Sequence, residues 1–384
     1  MTVFDLCQRW RAGETMLKHN DDLFLLGRKR ADVLKLLGDD LVPINREYFT
    51  GLHARGDLPL IMNYYDADAH SEIKRKHLAL TRQQMGDGFS QRLVVHAKRI
   101  FEAMAQCDEV DLVAFITESV IDFHLREFLD IDAPLETVKA LAYFEDYFTM
   151  GLYLPPSELP KYYEVEAFAP HRQAFTETAK LWSSQRSLSA AMDGGLDLEP
   201  HDFFYNFSAA GSTNVAKAFV YGLKLLQEQE QDRAGLSAEA LLNELLRFLP
   251  LVDNHVVPCF VTRCPTDAGR ARLSDAGYGD VRGLIYVFHA LHHADPERFE
   301  LPNLFNPQRW SPHDGPSNLL TFGVGAHACC GSRLAETWLR TLFEVWLDGF
   351  HLATPLQLLS EPFVSQVLSS QRLTSRVKIA THKH

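Results

Sequence analysis

The stretch Leu320–Ala335 reads L-T-F-G-V-G-A-H-A-C-C-G-S-R-L-A. Two adjacent cysteines, Cys329 and Cys330, follow a glycine-rich run, and helical periodicity begins at once over Gly331–Leu339. A cysteine at a helix N-terminus meets unpaired backbone N–H groups and the positive end of the helix dipole. Both favour thiolate over thiol. The glycines let the backbone pass close beneath something flat and bulky. A thiolate held beneath a flat cofactor is how heme iron is ligated when electron density is pushed toward the far side of the metal. The alternative is a glycine-rich turn beside a buried cysteine.

The rest of the chain must position that loop. Phe89–Phe148 reads as successive amphipathic helices, with Val94, Ile100, Met104, Leu112, Phe115 and Val120 at apolar positions. Tyr143–Phe175 is rich in aromatics and prolines, a pattern that more often marks core than ligand contact. His201–Glu228 is the longest helical candidate. Ser237 reads as an N-cap for a strong helix running to Leu249. Strand pieces are expected near Leu23 and between Cys259 and Val281. The expected fold is one large, mainly α domain with a minor β portion, spanning residues 1–384.

Composition removes several function classes. The net charge is −12 with no long basic run, which argues against a nucleic-acid partner. The cysteines are Cys7, Cys107, Cys259, Cys264, Cys329 and Cys330, and none forms a C-x-x-C pair, which argues against zinc. A disulfide framework is not expected in so long a chain, so a reducing, cytoplasmic setting is the simpler reading. The N-terminal stretch has no apolar run, so neither a signal peptide nor a membrane anchor is expected.

Phe322–Gly331 resembles the heme-binding loop of the cytochrome P-450 family: Phe, Gly, any, Gly, any, basic or His, any, Cys, any, Gly. Phe322, Gly323, Gly325, His327, Cys329 and Gly331 fill every specified position, and Cys330 stands where an aliphatic residue is usual. The resemblance implies Cys329 as the proximal iron ligand and heme b as the cofactor. It covers the chain from about Leu23 onward and is strongest from Ser237 to Trp346. Glu244 and Arg247 match the family's Glu-x-x-Arg, and Arg309 matches the arginine that joins them to hold the cysteine loop. Leu291–Phe299 is similar to the segment A-N-R-D-P-x-x-F, so the His292-His293 pair is read as substitution there rather than as a metal site. Adjacent positions do not face one way.

The same resemblance assigns further site residues. On the helix expected over Asp66–Thr81, His70 and Lys74 stand where the family carries a histidine and an arginine for the heme propionates. At i, i+4 they share one face, although a solvated charged face remains the alternative. His255 or Arg263 would be a further propionate partner. His201–Glu228 resembles the central helix on the oxygen side, where an acid–alcohol pair relays protons. The run here is Ala209-Ala210-Gly211-Ser212-Thr213-Asn214. One register puts Ser212 and Thr213 at that pair, and the other puts Thr213 and Asn214 there. The acid is missing in both. Local back-bonding in the helix is the alternative role for the hydroxyls.

The resemblance implies a soluble, bacterial-type oxidoreductase with a reduced N-terminal lead. It would insert oxygen into a small apolar substrate, in secondary metabolism. With no fused reductase segment in the sequence, electrons would come from a ferredoxin or flavodoxin-type donor. Arg333 and Arg340 would form a receiving face. The missing acid raises a second possibility, a heme-thiolate enzyme that uses peroxide or rearranges an oxidised substrate. A heme-binding protein without turnover is a third.

Overall fold

The computed structural model describes residues 12, 14, 16–19, 22–25, 42–43, 67–153, 165–183, 204–205, 208, 211–228, 235–248, 260–263, 271, 273–275, 277, 279–280, 285–287, 293–310, 319–323, 328–360 and 373–382. Along the chain the elements begin with β1 (Met16–His19), β2 (Asp22–Leu25) and β3 (Val42–Pro43). Helices follow: α1 (Ala67–Gln84), α2 (Phe89–Met104), α3 (Leu112–Leu129), α4 (Leu135–Tyr153), α5 (Val165–Ser183), α6 (Ser212–Glu228) and α7 (Ala238–Phe248). Then come β4 (Phe260–Arg263), β5 (Ile285–Val287), a 3₁₀ turn (Pro307–Arg309), α8 (Ser332–Gly349), β6 (Phe350–Leu352), β7 (Gln357–Ser360), β8 (Leu373–Arg376) and β9 (Ile379–Thr381). The architecture is mostly helical with small sheets.

Two compact units divide the chain. The first comprises Met1–Tyr48, Asn63–Ala67 and Glu239–Cys329, and the second Phe49–Met62, Asp68–Ala238 and Cys330–His384.

The first unit holds a five-stranded sheet of order β1-β2-β5-β4-β3. β2 and β5 run parallel, with Leu23 opposite Ile285, and the other neighbours are antiparallel. The strand expected at Leu23 is thus present. α7 belongs to this unit. Its Leu241, Leu242, Leu245 and Leu246 repeat at helical spacing and are buried.

The second unit is helical, with two-stranded sheets β6-β9 and β7-β8. α6 packs on α3, and α8 on α2. The buried stripe of α2 is Leu93, Ala97, Ile100, Phe101 and Met104. Val94, expected among the inward positions, is 37% exposed, because the stripe advances through Leu93 and turns Val94 and Val95 outward. Asp111 caps α3, its Oδ1 accepting from the N–H groups of Val113 (3.0 Å) and Ala114 (3.4 Å). The same oxygen accepts from the N–H and hydroxyl of Ser375, both at 3.1 Å, which ties β8 to the helix.

Aromatic packing fills this unit. Trp346 lies 5.4 Å from Phe101 and 6.1 Å from Phe219, and Phe219 lies 4.9 Å from Phe343. Phe144 of α4 stacks on Phe175 of α5 at 4.3 Å, and both are fully buried. Burying one such ring contributes roughly 1.5–3 kcal/mol. Some of the aromatics of Tyr143–Phe175 are therefore core.

The central helix departs from expectation. Helical periodicity predicts a run from His201, but the continuous helix begins at Ser212. Gly211 has φ +82°, in the left-handed region that a right-handed helix cannot pass through. Its carbonyl accepts the first bond of the new helix, from Val215 N–H at 3.0 Å.

Candidate functional site

The first unit builds a clamp on one carboxylate. Glu244 and Arg247 lie a turn apart on α7, and both are 0% exposed. Arg247 donates Nε–H to Glu244 Oε2 (2.9 Å) and Nη2–H to Oε1 (2.6 Å), a two-point fork. Oε1 also accepts from Asn306 N–H (2.7 Å) and Arg309 Nε–H (3.2 Å), and Oε2 from Trp310 Nε1–H (2.9 Å). The remaining Arg247 hydrogens go to the carbonyls of His293 (3.0 Å), Pro302 (2.8 Å) and Leu304 (3.1 Å). All five guanidinium N–H groups are thereby used. Phe299 and Phe248 cover the guanidinium at 5.2 and 5.4 Å. Arg309 donates onward to the carbonyls of Glu300 (2.6 Å) and Leu304 (3.0 Å). A buried ion pair needs this degree of satisfaction to offset its desolvation.

A short chain of bonds runs from the clamp to the cysteine. The His293 carbonyl takes an Arg247 proton, and its Nε2 accepts from Leu320 N–H at 2.9 Å. That geometry fixes a lone pair on Nε2. Thr321 Oγ1 donates to Leu246 O at 2.5 Å, binding the loop directly to α7. Leu320 O accepts from Gly323 N–H (2.8 Å), and Phe322 O accepts from Cys329 N–H (2.7 Å). Gly323 has φ +73°, a value that needs its missing side chain. The loop thus closes on itself at Phe322 and Cys329, with Cys329 exposed. Neither Cys329 nor Cys330 forms a disulfide among the described residues.

The helix after the loop is in the second unit. Gly331 is the N-cap of α8, and its carbonyl accepts from Ala335 N–H at 2.9 Å. No side chain caps this end of the helix. Farther along, Trp338 Nε1–H donates to His124 Nε2 at 3.0 Å, and His124 Nδ1–H donates to Ser208 O at 3.2 Å. Burial pushes the pKa of His124 down to about 4, so the ring is neutral and its tautomer is fixed by these two bonds. Trp338 and the segment that leads to α6 are thereby joined through α3.

Sequence reasoning missed His293 and His124. The His292-His293 pair reads as substitution within the Leu291–Phe299 segment, and the structure shows His293 as an anchor. Among the described residues no group of three or more potential ligands could hold a metal ion. His124 gave no local signal, since its partners lie 84 and 214 residues away.

On α6, Ser212 and Thr213 are 1% and 3% exposed. Thr213 Oγ1 and Asn214 Oδ1 are buried with no hydrogen-bond partner. Thr213 therefore does not back-bond within the helix. Lys74 lies half-buried on α1, and His70 is one turn before it on the same helix. Ala210, His255 and His327 lie outside the described residues, as does the side chain of His70.

Residues 236–375 match the family model described as Cytochrome P450. A 102-residue stretch is 35% identical to the cytochrome P450 monooxygenase alnH of Emericella nidulans, covering 24% of this chain and 18% of that protein. The curated relatives are matched over only 14–25% of their own length. Solved structures match across the whole fold. P450BioI, crystallised with acyl carrier protein ligated to hexadec-9Z-enoic acid, gives a TM-score of 0.67 at 14% identity, covering 97% of this chain and 98% of that one. A thermophilic cytochrome P450 from Sulfolobus tokodaii gives 0.64 at 17% identity, covering 99% and 100%. Residues 236–375 therefore resemble the cytochrome P-450 family, and the chain carries the fold of its solved members.

The family's cofactor is heme b. The described residues fit it: an exposed thiol, Cys329, stands at the end of a loop pinned by backbone bonds. The buried, unpartnered hydroxyl of Thr213 suits a helix that faces a bound group rather than its own backbone. No described helix is long and apolar enough to cross a membrane.

Proposed function

We propose that the protein is a heme-thiolate monooxygenase that inserts one oxygen atom into a small apolar organic molecule, with a role in secondary metabolism. The observation that carries this reading is the exposed Cys329 in a closed loop, anchored to the Glu244 clamp through His293 and Leu320. Bound heme supplies the iron at which oxygen is activated, and a thiolate ligand favours O–O cleavage. Cys329 would ligate the iron. His327, His70, Lys74 and His255 would pair with the propionates. Phe322, Gly331 and Ala210 would line the two faces of the ring.

Thr213 and Ser212 would hold protons on the oxygen side. Electrons would arrive from a ferredoxin or flavodoxin-type donor at the face around Arg333 and Arg340 of α8. Raising ionic strength should then slow reduction. We read residues 1–384 as one cytoplasmic domain, since neither compact unit is continuous in the chain. Reduction under carbon monoxide tests the ligand, because a thiolate gives a long-wavelength Soret band that a neutral ligand does not.

One observation favours a second reading. The carboxylate usual beside the threonine is replaced by Ser212, whose hydroxyl is a far weaker acid. Chemistry that starts from peroxide or an already oxidised substrate needs fewer delivered protons. Turnover with peroxide alone, and none with oxygen and an electron donor, would select it.

A further inference from the structure

α6 carries a charged group that the reading above does not use. Lys217 is 1% exposed and lies among Val215, Ala216, Ala218, Phe219 and Val220, all buried. Its Nζ donates to Asp146 Oδ1 of α4 at 3.0 Å. Asp146 is 22% exposed, so the pair runs from the surface to the interior. Glu145, beside it on α4, is 1% exposed.

A buried ion pair is a poor way to stabilise a helix contact. An apolar pair of similar volume is commonly as stable or more so. Lys217 has a second distinction in its position. It is four residues after Thr213 and three after Asn214, so all three share one face of α6. Thr213 Oγ1 and Asn214 Oδ1 are the buried, unpartnered polar atoms of that face. The helix therefore lacks an acid where one is expected, yet holds an ammonium one turn away with a carboxylate reaching solvent.

We propose that Asp146 and Lys217 supply the protons that the missing carboxylate would supply, with Thr213 as the last hydroxyl; this rests on the monooxygenase reading. A proton leaves the Lys217 ammonium, through one bridging water, for Thr213 Oγ1. The Thr213 proton passes at the same time to the oxygen being reduced. The neutral amine regains its proton from bulk water by way of Asp146. No electrons move in these proton transfers; the electrons that reduce the oxygen come from the external donor. Lysine suits the task because its ammonium can release a proton, whereas a guanidinium stays charged.

The test uses heme-loaded protein with Lys217→Met, Lys217→Arg, Asp146→Asn and, as a surface control on α6, Lys224→Met. Carbon monoxide is the first probe. If the unmodified protein lacks the thiolate band, the monooxygenase reading fails before the proposal is reached. With the band present, Lys217→Met is expected to shift the C–O stretching frequency, and Lys224→Met is not.

Oxygen consumption with a ferredoxin and its reductase is the second probe, in water and in deuterium oxide. Lys217→Met and Lys217→Arg should both slow it about 100-fold, the low end for a positioned proton donor. Asp146→Asn should enlarge the solvent isotope effect. Full activity in Lys217→Arg would make the pair purely structural and overturn the proposal. So would an unchanged stretch in Lys217→Met. Should the arginine variant not fold, an unchanged isotope effect in Asp146→Asn overturns it equally.

Discussion

Replacing Glu244 by glutamine changes one atom's chemistry and almost nothing of shape. The carboxylate accepts from Arg247 twice and once each from Asn306, Arg309 and Trp310. Glutamine keeps one accepting oxygen and turns an NH₂ toward the rest. If the NH₂ takes the Oε2 place, it confronts Arg247 Nε–H and Trp310 Nε1–H. If it takes the Oε1 place, it confronts Arg247, Asn306 and Arg309. Two arginines also lose their counter-charge, Arg247 being fully buried. Breaking a buried pair by removing one partner's charge costs about 3–5 kcal/mol. For a chain of 384 residues that lowers the melting temperature by roughly 4–6 °C if unfolding is cooperative.

The damage should not stay local, because Arg247 holds the His293 carbonyl and His293 holds Leu320 at the root of the cysteine loop. Heme retained per chain after desalting should therefore fall as well. Calorimetry and the heme-to-protein absorbance ratio measure both effects. A melting point within 1 °C of the parent, by the same estimate less than about 1 kcal/mol, together with full heme content, would refute the reasoning.

Other expectations follow from single features. Thr213→Val removes a buried hydroxyl that has no partner, so stability should hold or rise by about 1 kcal/mol in thermal melts while oxygen use with electron donor collapses. Gly323→Ala forces a side chain into φ +73° and should cost about 1–2 kcal/mol with weaker heme retention on desalting. Burial pushes His77 and His124 down to about 4 from 6.5. The unfolded chain then takes up protons first, so stability is full above pH 6.5 and declines as pH falls toward 4. Each site contributes about 3 kcal/mol to that loss, read by urea unfolding across the window. His293→Phe keeps a flat ring, somewhat larger, but removes the acceptor for Leu320 N–H, and should lower heme affinity with little change in circular dichroism.

The motifs were legible because their signals are local. Phe322–Gly331 is a contiguous loop, and Glu244–Arg247 is one helical turn. The Arg309 partnership was implied by the family resemblance, and the fold places Arg309 on Glu244. The helices of residues 67–153 were legible from periodicity, yet Val94 shows the limit, since a one-position phase error moves a residue from core to solvent. The break at Gly211 was hidden, because a glycine in a helical pattern is compatible with both a continuous and an interrupted helix. The Trp338–His124–Ser208 link and the Lys217–Asp146 pair were illegible for another reason. Each joins residues 71 to 214 positions apart, and no local rule relates them.

The most direct test is a pair of cysteine variants. Cys329 and Cys330 are neighbours of identical chemistry, and the motif spacing and the loop geometry separate them: Cys329 N–H is bound to Phe322 O, while Cys330 is half-buried. Reduced, carbon-monoxide-bound Cys330→Ala should keep the long-wavelength thiolate band, and Cys329→Ala should lose it. A Cys329→Ala protein with an unchanged band would contradict the account.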